Sequence, residues 1–141
     1  MTRPSAILLL VLLLPGQAWA QAHRCAGRGT VADYAKDLVG PASEFLATLQ
    51  RAVAANDRHA VAMLAHYPLR VNGVKGLKEA ASPRDFERRY SAILTPHVRA
   101  AIMEQQGACL FANWQGVMIG DGEVWFDRVP DGMRIITFNV E

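Results

Sequence analysis

The spacing of apolar residues changes once along this 141-residue chain, at Gly107. Before that glycine, apolar side chains recur every three or four residues, which is the period of an amphipathic helix. After it they alternate with polar side chains, which is the period of a β-strand. Helices and strands are therefore grouped in separate parts of the chain. The sequence predicts an α+β fold, with N-terminal helices packed on one face of a curved C-terminal antiparallel sheet.

Capping residues and prolines divide the helical part of the chain. Thr30 and Asp33 have the spacing of a capping pair, and a glycine–proline pair ends the short helix that they begin. Ser82 and Thr95 each precede a proline, which suits the first position of a helix. Gly107 is expected to end the last helix in a left-handed conformation. We expect helices over residues 30–38, 41–55, 57–67, 83–94 and 96–106, and a short strand over residues 69–72.

Two turn signatures set the register of the C-terminal strands. Asp121-Gly122 is typical of a tight hairpin turn, and it pairs Ile119 with Val124. A Pro-Asp-Gly turn closes the next hairpin and is expected to set Phe126 opposite Ile136. These registers decide which side chains share a face of the sheet.

Side chains alternate across a strand, so the two faces of the sheet can be assigned from the registers. The face packed against the helices is predicted to carry Val117, Ile119, Val124, Phe126, Ile136 and Phe138. The opposite face is predicted to carry Met118, Trp125, Asp127, Ile135, Thr137 and Asn139. A further strand over residues 110–113 is expected at the edge of this sheet.

Residues 1–20 have the three parts of a secretory signal peptide. Arg3 supplies a positive charge, residues 7–14 are an unbroken apolar run, and Ala18-Trp19-Ala20 provides small residues before a cleavage site. Eight strongly apolar residues are too few to cross a bilayer, which takes roughly 20. The sequence therefore predicts a periplasmic or secreted protein that has no membrane span after cleavage.

The chain contains two cysteines, Cys25 and Cys109, and both lie in the exported part. In an oxidising compartment such a pair favours a disulfide. We expect residues 21–40 to form an N-terminal segment tethered by this bond, and residues 41–141 to form a single α+β domain. Because no Cys-x-x-Cys motif is present and a zinc site takes three or four ligands, the sequence predicts no metal site. No motif for a cofactor is found either.

The charge of the exported part is nearly balanced. Signal cleavage removes one of the 15 Lys and Arg residues and none of the 13 Asp and Glu residues, which leaves 14 against 13 and a net charge of +1. So small a charge gives no long-range field that would attract nucleic acid. Nucleic acid is therefore excluded as an expected partner.

The order of the predicted elements resembles the cystatin-like cone of the nuclear transport factor two family. That family includes ketosteroid isomerases and polyketide cyclases, and the resemblance would cover residues 41–141. Residues 110–126, Leu-Phe-Ala-Asn-Trp-Gln-Gly-Val-Met-Ile-Gly-Asp-Gly-Glu-Val-Trp-Phe, also resemble a segment of small exported bacterial proteins of unassigned function. The resemblance implies the cone fold and a pocket at its open end, where a small apolar ligand could bind. It implies no particular reaction.

A family isomerase combines an aspartate base with a tyrosine or acid that donates to an oxyanion. The residues of suitable type here are Asp85, Tyr90 and Asp127, with Tyr67 as a further tyrosine. Each also has a structural interpretation: Asp85 suits the first turn of a helix, and Tyr90 completes an apolar stripe. A small isomerase or cyclase that uses an acid–base pair inside the cone is therefore the alternative function.

The favoured function is a binding or interaction module of the cell envelope, without catalysis. Met118, Trp125 and Thr137 are predicted to lie on the sheet face turned away from the helices, where a large aromatic residue requires a cover. The sequence is compatible with two different covers for this sheet face. One is a partner, either a second copy of the chain or an envelope protein. The other is the chain's own N-terminal segment, residues 21–38, held over the face by the disulfide.

Overall fold

The computed structural model describes Cys25 and residues 28–140. The predicted signal peptide and its cleavage site lie outside the described residues. The helices are α1 (Val31–Tyr34), α2 (Val39–Ala54), α3 (Arg58–Met63), α4 (Pro83–Ile93) and α5 (Pro96–Glu104), with short 3₁₀ helices at Lys36–Leu38 and Gly107–Cys109. The strands are β1 (Ala65–Val74), β2 (Leu77–Ala80), β3 (Phe111–Asn113), β4 (Gly116–Ile119), β5 (Val124–Val129) and β6 (Gly132–Asn139).

The predicted caps start the helices. Asp33 accepts hydrogen bonds from the backbone N–H and the hydroxyl of Thr30, at 2.7 and 2.8 Å, and these bonds lower the pKa of its carboxyl group. The hydroxyl oxygens of Ser82 and Thr95 each accept a backbone N–H of the first turn of α4 and α5. Unpaired N–H groups at a helix start are satisfied in this way, which fixes where each helix begins.

Several predicted helix boundaries are wrong. The helix predicted over residues 30–38 is divided at Ala35 into α1 and a 3₁₀ helix. The helix predicted over residues 57–67 ends at Met63, because residues 65–67 belong to β1, where Ala65 pairs with Ile135. Helix α2 begins at Val39 and so includes Gly40-Pro41, because a proline in the first turn of a helix removes no needed hydrogen bond. Helix α5 ends at Glu104, and Gly107 opens a 3₁₀ helix instead of ending α5 in a left-handed conformation.

The strands form one sheet in the order β2-β1-β6-β5-β4-β3. All neighbours are antiparallel except β1 and β6, which run parallel. The short strand predicted over residues 69–72 is part of β1, which is ten residues long. Strand β2 was not predicted. The turn between β1 and β2 contains Gly76 at φ +75°, a conformation that glycine adopts without strain. This short hairpin extends the predicted C-terminal sheet on one side.

The register around Asp121-Gly122 is confirmed, since Ile119 pairs with Val124 and Val117 pairs with Phe126. The connection is longer than a two-residue turn, because β4 ends at Ile119 and β5 begins at Val124. The predicted edge strand is also confirmed: β3 pairs with β4 at one edge of the sheet.

The predicted pairing of Phe126 with Ile136 is wrong. The register between β5 and β6 shifts at Trp125 and Phe126, so that Phe126 lies opposite Ile135. A bulge of this kind adds one residue to a strand and exchanges the faces beyond it. Ile135 is therefore fully buried in the core, whereas Ile136 is half-buried on the opposite face.

The helices cover one face of the sheet, as predicted, and aromatic rings fill the space between the layers. Phe45 of α2 stacks on Phe126 with ring centroids 4.7 Å apart, and Phe86 of α4 lies 5.8 Å from Phe138. Phe86, Phe126 and Phe138 have no exposed surface. The interior of the cone is therefore filled by the protein's own side chains.

The predicted disulfide between Cys25 and Cys109 is formed. It places the N-terminal segment beside the first residues of the C-terminal sheet, where the Val31 N–H donates to the Leu110 carbonyl at 2.8 Å. Among the described residues, no helix has the length and apolar character needed to cross a membrane.

Candidate functional site

A groove of about 520 Å³ crosses the sheet face that is turned away from the helices. We call it the outer groove. It begins at β1, passes over β6 and β5, and reaches the turn between β3 and β4. Strand pairing places Arg70, Thr137 and Trp125 in one row across it, because Thr137 is the neighbour of both other residues. Two of the three residues predicted for an interaction surface, Trp125 and Thr137, line this groove.

Met118, the third predicted interface residue, lies beside Trp125 and is not among the residues that line the groove. It is the cross-strand neighbour of Trp125 and is buried, although it does not belong to the core under the helices. A Cβ atom at Gly122 would lie 3.6 Å from the indole nitrogen of Trp125 and 3.8 Å from the sulfur of Met118. Both side chains thus lie against the β4–β5 turn, which limits the movement of the indole.

Trp114 is the largest of the groove residues that sequence reasoning missed. It lies in the two-residue turn between β3 and β4 and is 81% exposed, the largest exposure among the described large apolar side chains. The turn is fixed by the Asn113 side chain, whose oxygen accepts the Gln115 N–H at 2.8 Å. The signal was present in the sequence, since a tryptophan between two adjacent short strands has no place in a core.

Amide side chains form the polar part of the outer groove. Asn72 and Asn139 are paired across β1 and β6, and the Asn72 amide donates to the Asn139 side-chain oxygen at 2.7 Å. Asn139 in turn donates to the Gly122 carbonyl. Asn139 thus forms hydrogen bonds both with Asn72, at the β1 end of the groove, and with the β4–β5 turn, beside which Trp125 lies.

The described part of the N-terminal segment follows the β3 side of the molecule. Arg28 forms an ion pair with Asp121 at 2.7 Å, and Asp37 forms one with Arg128 at 3.2 Å. Helix α1 contacts β3 and α2. Residues 21–24, 26 and 27, which belong to the segment expected as a cover for Trp125, lie outside the described residues.

The two aspartates among the three catalytic candidates have separate partners. Asp85 accepts the Ala81 N–H at 3.1 Å and pairs with Arg88 at 2.7 Å, and its pKa is lowered chiefly by the backbone hydrogen bond from Ala81. Asp127 accepts the N–H of its neighbour Arg128. These contacts are those of a helix-start residue and a strand residue, and they do not join the two aspartates to each other.

Tyr90, the third candidate, belongs to the core. It is 3% exposed, lies edge-on to Phe86, and carries the Arg58 guanidinium 5.4 Å from its ring centroid. Tyr67 donates its hydroxyl to the Ala62 carbonyl at 2.7 Å, and burial raises the pKa of that hydroxyl. The structure places neither tyrosine in a hydrogen bond with an aspartate side chain.

A second groove, of about 550 Å³, lies where α2 meets the β5–β6 turn. Its apolar wall includes Phe45, Leu64 and Met133. Its apolar wall suits the small apolar ligand that the sequence resemblance predicted. Phe45 closes its inner end by stacking on Phe126.

A cleft of about 500 Å³ beside the disulfide contains an acid–base pair that the sequence did not suggest. His97 Nε2 lies 2.9 Å from Glu123 Oε1, and Glu123 also accepts the Asp121 N–H at 2.6 Å. Glu123 is 8% exposed and is the one charged residue that is buried within the described range. A Cβ at Gly120 would overlap its carboxylate, so the turn requires glycine there.

Comparisons with protein-family models, with curated proteins and with solved structures found no match to this chain. Within residues 28–140 and at Cys25, no three His, Cys, Asp or Glu residues are grouped so that they could hold a metal ion. The interpretation of the sites therefore rests on their own chemistry.

Proposed function

We propose that this chain is an exported binding protein of the cell envelope and that it acts through the outer groove. One observation carries the proposal: two tryptophans, Trp114 and Trp125, line a groove on one sheet face, while the other face is filled. Exposed aromatic residues beside polar groups are typical of binding surfaces, because each ring offers a large apolar area and a hydrogen-bond donor.

The disulfide and the N-terminal sequence support the proposed location. A Cys25–Cys109 bond persists in an oxidising compartment such as the periplasm or the extracellular space. Residues 1–20 have the pattern of a signal peptide. The helix layer over one face of a curved sheet supports membership of the nuclear transport factor two family, which we retain as a proposal.

The filled interior favours binding over catalysis inside the cone. An isomerase or cyclase of the proposed family needs a pocket with converging acid and base groups. Here aromatic rings occupy that space, and Asp85 and Asp127 have separate structural partners. The buried hydroxyl of Tyr90 has no hydrogen-bond partner among the described residues. The acid–base alternative retains one favourable observation, the His97–Glu123 pair. If the protein turned over a carbonyl substrate and His97→Gln abolished that turnover, the protein would be an enzyme and the proposed binding function would fall.

The proposal is tested with the mature chain, residues 21–141, immobilised and exposed to an envelope extract of its own host. We expect Trp125→Ala to lose most of the captured material while its circular dichroism stays that of the wild type. Met103→Ala is the matched control, because Met103 is an exposed apolar residue on α5, away from the groove. Equal capture by the wild type and by Trp125→Ala would contradict the proposal. Sedimentation of both proteins shows whether a second copy is the partner.

A further inference from the structure

The lining of the outer groove alternates flat apolar surface with hydrogen-bonding groups. It consists of two indoles, three side-chain amides, one hydroxyl, one guanidinium and one isoleucine. Most small-molecule pockets are mainly apolar with a few polar groups. A groove with this many polar groups suits a ligand that alternates in the same way. Saccharides have this character, because a sugar ring presents C–H groups on its faces and hydroxyl groups around its rim.

The two indoles are suited to stack against sugar rings. Trp125 is fixed by strand pairing and by its position beside Met118 and the β4–β5 turn. Trp114 is carried by a two-residue turn that the Asn113 side chain holds. An aromatic ring that is already held, as that of Trp125 is, loses little conformational entropy when a ligand stacks on it. The electron-rich face of an indole also attracts the weakly polar C–H groups of a sugar.

The amides match sugar hydroxyl groups. A hydroxyl both donates and accepts a hydrogen bond, and a side-chain amide offers a donor and an acceptor side by side. Asn72 is held by its hydrogen bond to Asn139, so it is ordered before a ligand arrives. Gln115, at the Trp114 end, is exposed. Amide groups therefore stand at both ends of the groove.

The charge of the lining indicates an anionic group on the ligand. Arg70 is the one charged residue among the described residues that line the groove. A guanidinium pairs with a carboxylate through two parallel hydrogen bonds, which gives both affinity and orientation. Glu79 on β2 is the cross-strand neighbour of Arg70, and no ion pair joins the two within the described residues. Opposed residues of an antiparallel pair share a face of the sheet, so Glu79 can compete with a ligand for Arg70.

We infer that the outer groove binds an acidic saccharide, whose rings stack on Trp125 and Trp114 and whose carboxylate pairs with Arg70. The inference rests on the proposed function, because it names the ligand class of the same groove. The row Arg70–Thr137–Trp125 gives the ligand a direction: its carboxylate lies toward β1 and its rings toward β5.

The experiment titrates the mature chain with tetragalacturonate, and with maltotetraose as a neutral sugar of equal length. Calorimetry and tryptophan fluorescence follow binding. We expect tetragalacturonate to bind at least about tenfold more tightly than maltotetraose, because the neutral sugar lacks the charge-assisted pair. Arg70→Gln should remove this preference and Trp125→Ala should weaken both sugars, whereas Met103→Ala should change neither. Glu79→Gln should bind tetragalacturonate as tightly as the wild type or more tightly.

Three results would overturn the inference. These are no binding of either sugar at millimolar concentration, equal binding of the two sugars, and an unchanged preference in Arg70→Gln. The proposed function fails separately. If Trp125→Ala loses envelope capture but the wild type binds no sugar, the groove has a different ligand and only the saccharide inference falls. If envelope capture does not depend on Trp125, the proposed function falls as well.

Discussion

The two faces of the sheet are built from alternate residues of the same strands, yet they are filled in different ways. Phe126 faces the helices, has no exposed surface and stacks on Phe45. Trp125, its neighbour in sequence, faces away, is half-buried and lies beside amides, a hydroxyl and a guanidinium. One face has complete apolar packing and the other has a groove whose rings and polar groups remain accessible.

This difference separates stability from recognition within a single sheet. Apolar burial stabilises the fold in proportion to the area removed from water. The polar groups of the outer groove add little to stability, because water can satisfy them in the free protein. Substitutions on the inner face should therefore lower the free energy of unfolding, and those on the outer face should change what the protein binds.

The largest effect should come from Phe126→Ala. Loss of this ring leaves a cavity under Phe45, and large-to-small core changes of this kind cost about 3–5 kcal/mol of unfolding free energy. Urea unfolding followed by circular dichroism measures it. Trp125→Ala, one residue away on the other face, is the control and should cost much less. If the two variants were equally destabilised, the two faces would not be energetically distinct.

The bulge in β5–β6 can be tested with two adjacent isoleucines. Ile135 is fully buried opposite Phe126, whereas Ile136 is half-buried at the outer groove. We expect Ile135→Ala to cost about 2–5 kcal/mol, as for other buried isoleucines, and Ile136→Ala to cost clearly less. The same urea measurement decides between them. If Ile136→Ala were the more destabilising of the two, Phe126 would lie opposite Ile136 and the β5–β6 pair would contain no bulge.

Loss of the disulfide should lower stability and leave the outer groove unchanged. The bond joins residues separated by 84 positions, and a typical disulfide contributes about 2–4 kcal/mol. We expect Cys109→Ala to lose roughly this amount in thermal unfolding, and reduction of the wild type by dithiothreitol to match it. The variant should still bind the groove ligand. A loss of that binding would show that the tethered segment shapes the outer face.

The smallest effect is expected at Asp85, in the helix layer. Its pKa in the folded protein is below the ordinary value of 3.8, so its carboxylate stabilises the fold above that pH. Asp85→Asn should cost roughly 1 kcal/mol at pH 7 through the weakened hydrogen bond from Ala81. The difference from the wild type should disappear as the pH falls through the folded-state pKa. A difference that persists in acid would mean that the charge is not the cause.

The sequence predicted those parts of the fold that local chemistry determines. The caps at Thr30, Ser82 and Thr95 and the turn at Asp121-Gly122 act over two to four residues, and each is confirmed. The β5–β6 bulge was not predictable in this way, because its position depends on how two whole strands pack against the helices. Strand β2 was missed because two glycines near the end of β1 made this part read as irregular.

The candidate site was predicted in part for the same reason. Alternation placed Met118, Trp125 and Thr137 on one face, and the structure keeps them there. Trp114 and Asn72 join that face only when β3 and β1 take their places at opposite sides of the sheet. His97 and Glu123 are distant in sequence, and only the packing of α5 against the β4–β5 turn brings them to 2.9 Å.

The parallel pairing of β1 with β6 also sets an order of events during synthesis. Strand β6 follows every other described strand in the chain, yet it lies inside the sheet between β1 and β5. The β1–β2 hairpin therefore has no partner until residues 132–139 have left the ribosome. Until then the sheet exists only as two separate groups of strands, β1–β2 and β3–β4–β5, which β6 joins.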